Sequence, residues 1–161
     1  MTRIIKYLFI SLLLVLVQTT LLRLVSLEGI TPDVLTIWIV YIAIREGQLE
    51  ATLWGFGMGL MFDFISGNFI GLAALTKTLC GFIAGYFYGE NKTQMILGSY
   101  RFPLIVFIVS LLHNTVYFIL FTRGTEIGLL RAVAEFGLAT TLYTATVTLL
   151  PMLVFSRGRG T

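Results

Sequence analysis

Charge is scarce in this chain. Only 12% of its 161 residues are Asp, Glu, Lys or Arg, where a soluble domain carries about 25%. Together with 57% apolar residues and a mean hydropathy of +0.93, that deficit places the chain in a membrane. Cysteine is nearly absent. Cys80 stands alone inside an apolar run, which excludes an intrachain disulfide and a cysteine metal set. Histidine is single too, so His113 has no partner for a paired-His motif. There is no basic stripe, so the net charge of +3 does not point to nucleic acid. Low-complexity tracts and clear internal repeats are missing. No Ser/His/Asp arrangement and no retaining-type carboxylate pair stands at a recognisable spacing, so catalysis has no positive support and no cofactor is expected. The alternation Gly55, Gly57, Gly59 resembles a nucleotide loop only superficially, because the preceding strand and the phosphate-binding spacing are lacking.

What the chain does have is long apolar runs. A spanning helix needs roughly 20 mostly apolar residues. The runs predict six transmembrane helices, over residues 4–22, 32–44, 49–65, 69–88, 102–121 and 129–155. They form a single all-α polytopic membrane domain over 1–161. The first run lacks a clean small-residue cleavage site and is read as a retained helix, not a signal peptide. The second is short for a full crossing, which leaves a thin, tilted or partly re-entrant segment open. Pro32 suits its first turn and Asp33 complements its positive end.

Six spans put both termini on one side. That side holds Arg3, Lys6, Arg45, Lys92, Arg101, Arg157 and Arg159, and the other holds Arg23, Arg123 and Arg131. The positive-inside rule makes the first side cytoplasmic. The longest loop, about 89–101, leaves almost no protein outside the bilayer.

The glycines recur in steps of four: Gly55 and Gly59, then Gly81, Gly85 and Gly89. In a helix such a step puts them on one face, where two backbones approach closely in lipid. Two readings follow, packing within this bundle and a groove for a helix of another protein. Five ionisable residues fall in or beside the runs: Asp63, Lys77, His113, Glu135 and Arg131. Charges at membrane depth are rare, face the protein interior and mark function by default. Asp63 just before a turn and Lys77 eight residues after it predict an ion pair across a helical hairpin. Arg131 and Glu135 have i,i+4 spacing. Internal ion pairs, a polar cavity open to the outside and a proton relay are the three roles these charges can serve.

Three segments carry a family resemblance: TPDVLTIWIVYIAIREG at 31–47, GFGMGLMFDFISGNFIGLAAL at 55–75 and GFIAGYFYGE at 81–90. They resemble MreD, the small membrane protein of the bacterial rod-shape system. The matching positions are Pro32, Asp33, Arg45, Glu46, Gly47, Gly55, Gly59, Asp63, Gly67 and Gly71. The resemblance implies a non-enzymatic scaffold of the cell-elongation machinery in the bacterial inner membrane, helping to organise lateral peptidoglycan synthesis. It implies MreC, a bitopic protein, as direct partner, and MreB, RodA and a penicillin-binding transpeptidase in the wider assembly. It also implies a fold similar to the substrate-binding subunits of energy-coupling-factor transporters, which supplies an alternative function in small-molecule binding. Those subunits dock through an alanine pair in the first helix, and residues 4–23 contain no alanine.

Overall fold

The computed structural model describes residues 2–24, 26, 30–67, 69–121 and 132–157. Their elements are all helical: α1 (Thr2–Thr19), α2 (Leu21–Leu24), α3 (Val34–Glu46), α4 (Gln48–Ser66), α5 (Leu72–Ala84, continued by a 3-10 turn over Gly85–Phe87), α6 (Thr93–Leu97) and α7 (Arg101–Phe121). A π-helical stretch, Ala132–Gly137, then runs into α8 (Leu138–Val147) and α9 (Leu149–Arg157). Among the described residues, three helical stretches are long and apolar enough to cross a membrane, Thr2–Thr19, Arg101–Leu120 and Val133–Phe155, against the six expected. Arg131, Arg123, Arg159 and the expected start of the last span at 129 lie outside the described residues.

The centre of the bundle is α3. Leu35, Ile39, Val40, Ile42, Ala43 and Ile44 are fully buried, and the helix packs on α1, α4, α5 and α7. A helix that is apolar all round belongs inside. Its 13 residues reach about 20 Å at roughly 1.5 Å per residue, against a hydrocarbon core of roughly 30 Å. One end of α3 therefore stops within the bundle. The other ends at Gly47, whose φ of +96° stops the helix. Glycine adopts this conformation without the Cβ penalty other residues incur, so α4 restarts at the very next residue, Gln48.

The α4–α5 hairpin is the tightest contact. A Cβ placed on Gly55 would lie 2.3 Å from the Lys77 carbonyl oxygen, on Gly59 2.5 Å from that of Ala73, on Gly81 2.3 Å from that of Ala51, and on Gly85 2.4 Å from Gln48 Cα. Of the two readings of the glycine spacing, packing within the bundle is what the structure contains. The face of Gly55 and Gly59 is already occupied by α5. Gly89 departs from the expected face: the helix ends with the turn at Gly85–Phe87, so the four-residue step no longer maps to one side there. Gly57 is on open surface, with nothing within 4 Å of an added Cβ.

Gly55→Ala and Gly59→Ala should each destabilise the protein by about 1–3 kcal/mol, the usual cost of overpacking, because backbone atoms cannot give way as a side-chain tip can. Gly57→Ala should be neutral, or stabilising by up to about 1 kcal/mol through helix propensity. Unfolding of the three variants in mixed micelles checks the ranking, and equal effects at positions 57 and 59 would contradict it.

Candidate functional site

A helix that begins inside an apolar bundle exposes its first backbone N–H groups where there is no water to take them. At the start of α3, side chains take over. The Asp33 N–H donates to Thr144 Oγ1 at 2.9 Å. The Val34 N–H donates to Gln18 Oε1 at 3.0 Å. The Thr36 N–H donates to Asp33 Oδ1 at 3.1 Å, and the Thr36 hydroxyl to Asp33 Oδ2 at 2.6 Å. Gln18 also donates through Nε2 to the Pro32 carbonyl at 3.1 Å. One amide from α1 thus bridges the two peptide groups that flank Asp33.

Capping with a carboxylate leaves a buried negative charge. Lys77 balances it, with Nζ at 2.7 and 3.0 Å from the two Asp33 oxygens. His113 Nε2 approaches Asp33 Oδ2 at 3.5 Å. All three side chains are buried, as is Asn114, which donates through Nδ2 to Thr141 Oγ1 at 2.9 Å and to the Gly137 carbonyl at 3.3 Å. Beside them lies a cavity of about 160 Å³ whose lining includes Gln18, Asp33, Lys77, His113, Asn114 and Tyr117. Among the described residues, no group of three His, Cys, Asp or Glu side chains is placed to hold a metal.

The expected Asp63–Lys77 pair does not form. The Lys77 carbonyl lies against Gly55, eight residues before Asp63 on α4, or about 12 Å along the axis. Lys77 turns instead to Asp33. Asp63 is buried at 1% exposure and finds backbone. Its carboxylate accepts from the N–H groups of Gly71 at 2.9 Å, Ala73 at 3.0 Å and Ala74 at 3.1 Å. It therefore caps α5 from the neighbouring helix, meeting both the orphan donors and the positive end of the helix. The close approach at Gly59 brings it there, one turn earlier on the same face.

The remaining candidates are dispersed. Glu135 is on an exposed face of the π-helical stretch, not toward the interior, and Arg131 lies outside the described residues. Arg45 and Glu46 sit at the far end of α3 from Asp33. There Arg3 Nη1 is 2.6 Å and Arg45 Nε 3.6 Å from Glu46, with the Tyr7 hydroxyl donating to Glu46 at 2.7 Å. Gly67 and Gly71 take left-handed conformations at either end of the α4–α5 turn. Gln18, Thr36 and Thr144 were not among the candidates. Thr36 is a lone polar residue in an apolar run, and that isolation is a signal for a buried polar partner; Gln18 beside Thr19 and Thr20, and Thr144 among Thr140, Thr141, Thr146 and Thr148, carry no such mark.

Removing one member of a buried pair strands the other, at about 3–5 kcal/mol. Asp33→Asn and Lys77→Met should each show such a loss on unfolding in mixed micelles, and the double variant should recover most of it. Asp63→Ala and Lys77→Met, with no shared partner, should instead add within about 0.5 kcal/mol. Strong coupling between positions 63 and 77 would contradict the pairing seen here.

A buried carboxylate–lysine pair that holds a short central helix, and a second carboxylate that caps the α5 helix, form a centre for building a bundle. Asp33 falls in the segment at 31–47 and Asp63 in that at 55–75, with Lys77 two residues beyond it. No curated protein and no solved structure matches the chain. The family model described as rod shape-determining protein MreD matches residues 1–156, and the chain belongs to the MreD family.

Proposed function

We propose that this protein is a non-enzymatic membrane scaffold of the rod-shape machinery, with six spans, cytoplasmic termini and MreC as direct partner. The family match over residues 1–156 carries this reading, since the family acts in rod-shape determination. The described charges support the topology. Arg3, at the start of α1, meets Glu46 at the end of α3 and Glu50 at the start of α4, so cationic Arg3 and Arg45 gather at one end of the bundle. The positive-inside rule assigns that end to the cytoplasm.

The MreC contact belongs on the lipid-facing surface, because the Gly55–Gly59 face is filled by α5. On α4 that surface carries exposed Leu53, Phe56, Leu60 and Phe64 around the open Gly57. One observation favours the second reading, a small-molecule-binding subunit of the energy-coupling-factor type: the polar cavity beside Asp33. At about 160 Å³ it is smaller than the roughly 300–1,000 Å³ of typical ligand pockets and has room for a few waters.

Purification in mild detergent, with mass spectrometry of what accompanies the protein, separates the two. Stoichiometric MreC supports the scaffold, and a bound metabolite without MreC overturns it. Gly57→Leu should reduce MreC recovery while leaving the amount of folded protein unchanged. Single cysteines at positions 3 and 157, in a Cys80→Ser background, should react with an impermeant reagent only after cells are permeabilised. Labelling of either in intact cells would overturn the six-span topology.

A further inference from the structure

Between α1, α3 and α9 lies a groove of about 850 Å³, separate from the buried ion cluster and lined mainly by apolar and aromatic side chains. Its wall is aromatic: Trp38 stacks on Tyr41 with centroids 5.0 Å apart, and Tyr41 on Phe155 at 5.6 Å. Cations mark one end only. Arg3, Lys6 and Arg45 line that end. Glu46 and Glu50 engage Arg3 and Arg45, while Lys6 is exposed and has no ion pair among the described residues. Three cations against two carboxylates leave the rim positive. The groove follows α1 from Arg3 to Leu14 and α3 from Arg45 to Val34. Both stretches are twelve residues, eleven helical steps that rise about 16 Å at roughly 1.5 Å per residue. Just beyond, the Gln18 clamp on Pro32 and Val34 ties α1 to α3.

We infer that this groove holds an acyl chain of an anionic phosphoglycerolipid, with the phosphate at Arg3, Lys6 and Arg45. Its depth selects the occupant. About 16 Å is half of a hydrocarbon core of roughly 30 Å, the depth of a single leaflet, whereas a helix from a partner protein would need a groove running the whole thickness. The sign of the rim selects the headgroup, because basic pockets between transmembrane helices bind anionic lipid headgroups. The topology proposed above puts this rim in the cytoplasmic leaflet, but the lipid assignment does not depend on it.

Trp38 is a built-in reporter. In the Trp54→Phe protein it is the sole tryptophan, since the chain has two. The protein is placed in phosphatidylcholine vesicles containing an equal minor fraction of either brominated phosphatidylglycerol or brominated phosphatidylcholine, and quenching is compared. Phosphatidylglycerol should be preferred in apparent association on the order of tenfold, and Lys6→Gln with Arg45→Gln should abolish the preference. If the double variant does not fold, Lys6→Gln alone, at an exposed position, should lower the preference severalfold. Equal quenching by the two lipids, or a preference that survives the substitutions, overturns the assignment. So does absence of quenching by either lipid with a protein bound in the groove.

Discussion

The fold depends on a helix that starts inside an apolar bundle. α3 is too short to cover the hydrocarbon core by itself, so its first N–H groups open inside the bundle and must be answered by protein. Asp33 and Gln18 answer them, with Thr144 closing the set. A carboxylate is a strong acceptor, yet it brings a charge that a low-dielectric interior penalises heavily when alone. Lys77 removes that penalty and, in doing so, fixes α5 against α3. The polar cluster is thus a consequence of one short helix, and α1, α5, α7 and α8 all contribute a side chain to it or its surroundings.

The α4–α5 hairpin solves a second problem. Apolar helices in lipid gain nothing from the hydrophobic effect when they meet, so close packing and backbone satisfaction must supply the attraction. Gly55, Gly59, Gly81 and Gly85 allow the backbones to touch, and that proximity lets Asp63 reach the amide groups at the start of α5. The two carboxylates of the interior therefore do the same job by different routes. Asp33 caps its own helix and needs a lysine. Asp63 caps another helix and is held by three backbone donors and a helix dipole.

Much of this was legible in the residues. The apolar runs show the helices, and the four-residue glycine steps show the close face as far as Gly85. Asp33 after a proline reads as a helix start, and the shortness of the following run signals a segment that does not span by itself. The partner of Lys77 was not legible. Counting residues from a turn gives depth along a helix but not the direction a side chain takes around it, and Asp33 lies 44 positions away in sequence. Glu135 misled for a related reason: charge in an apolar run predicts burial only when the run is enclosed by others, and its stretch presents that position outward. The cap on α5 left no local mark, because the capping residue belongs to the preceding helix.

The Asp33–Lys77 pair also imposes an order of events in biosynthesis. Asp33 is made 44 residues before Lys77, which at about 5–20 residues per second is an interval of a few seconds. During that interval the start of α3 carries a carboxylate with no counter-charge, and such a segment is unfavourable in lipid. Its counter-charge arrives only when α4 and α5 have been made and the Lys77 ammonium group can reach it. The central helix of the finished bundle is in this sense the one that settles late, after elements that follow it in the chain.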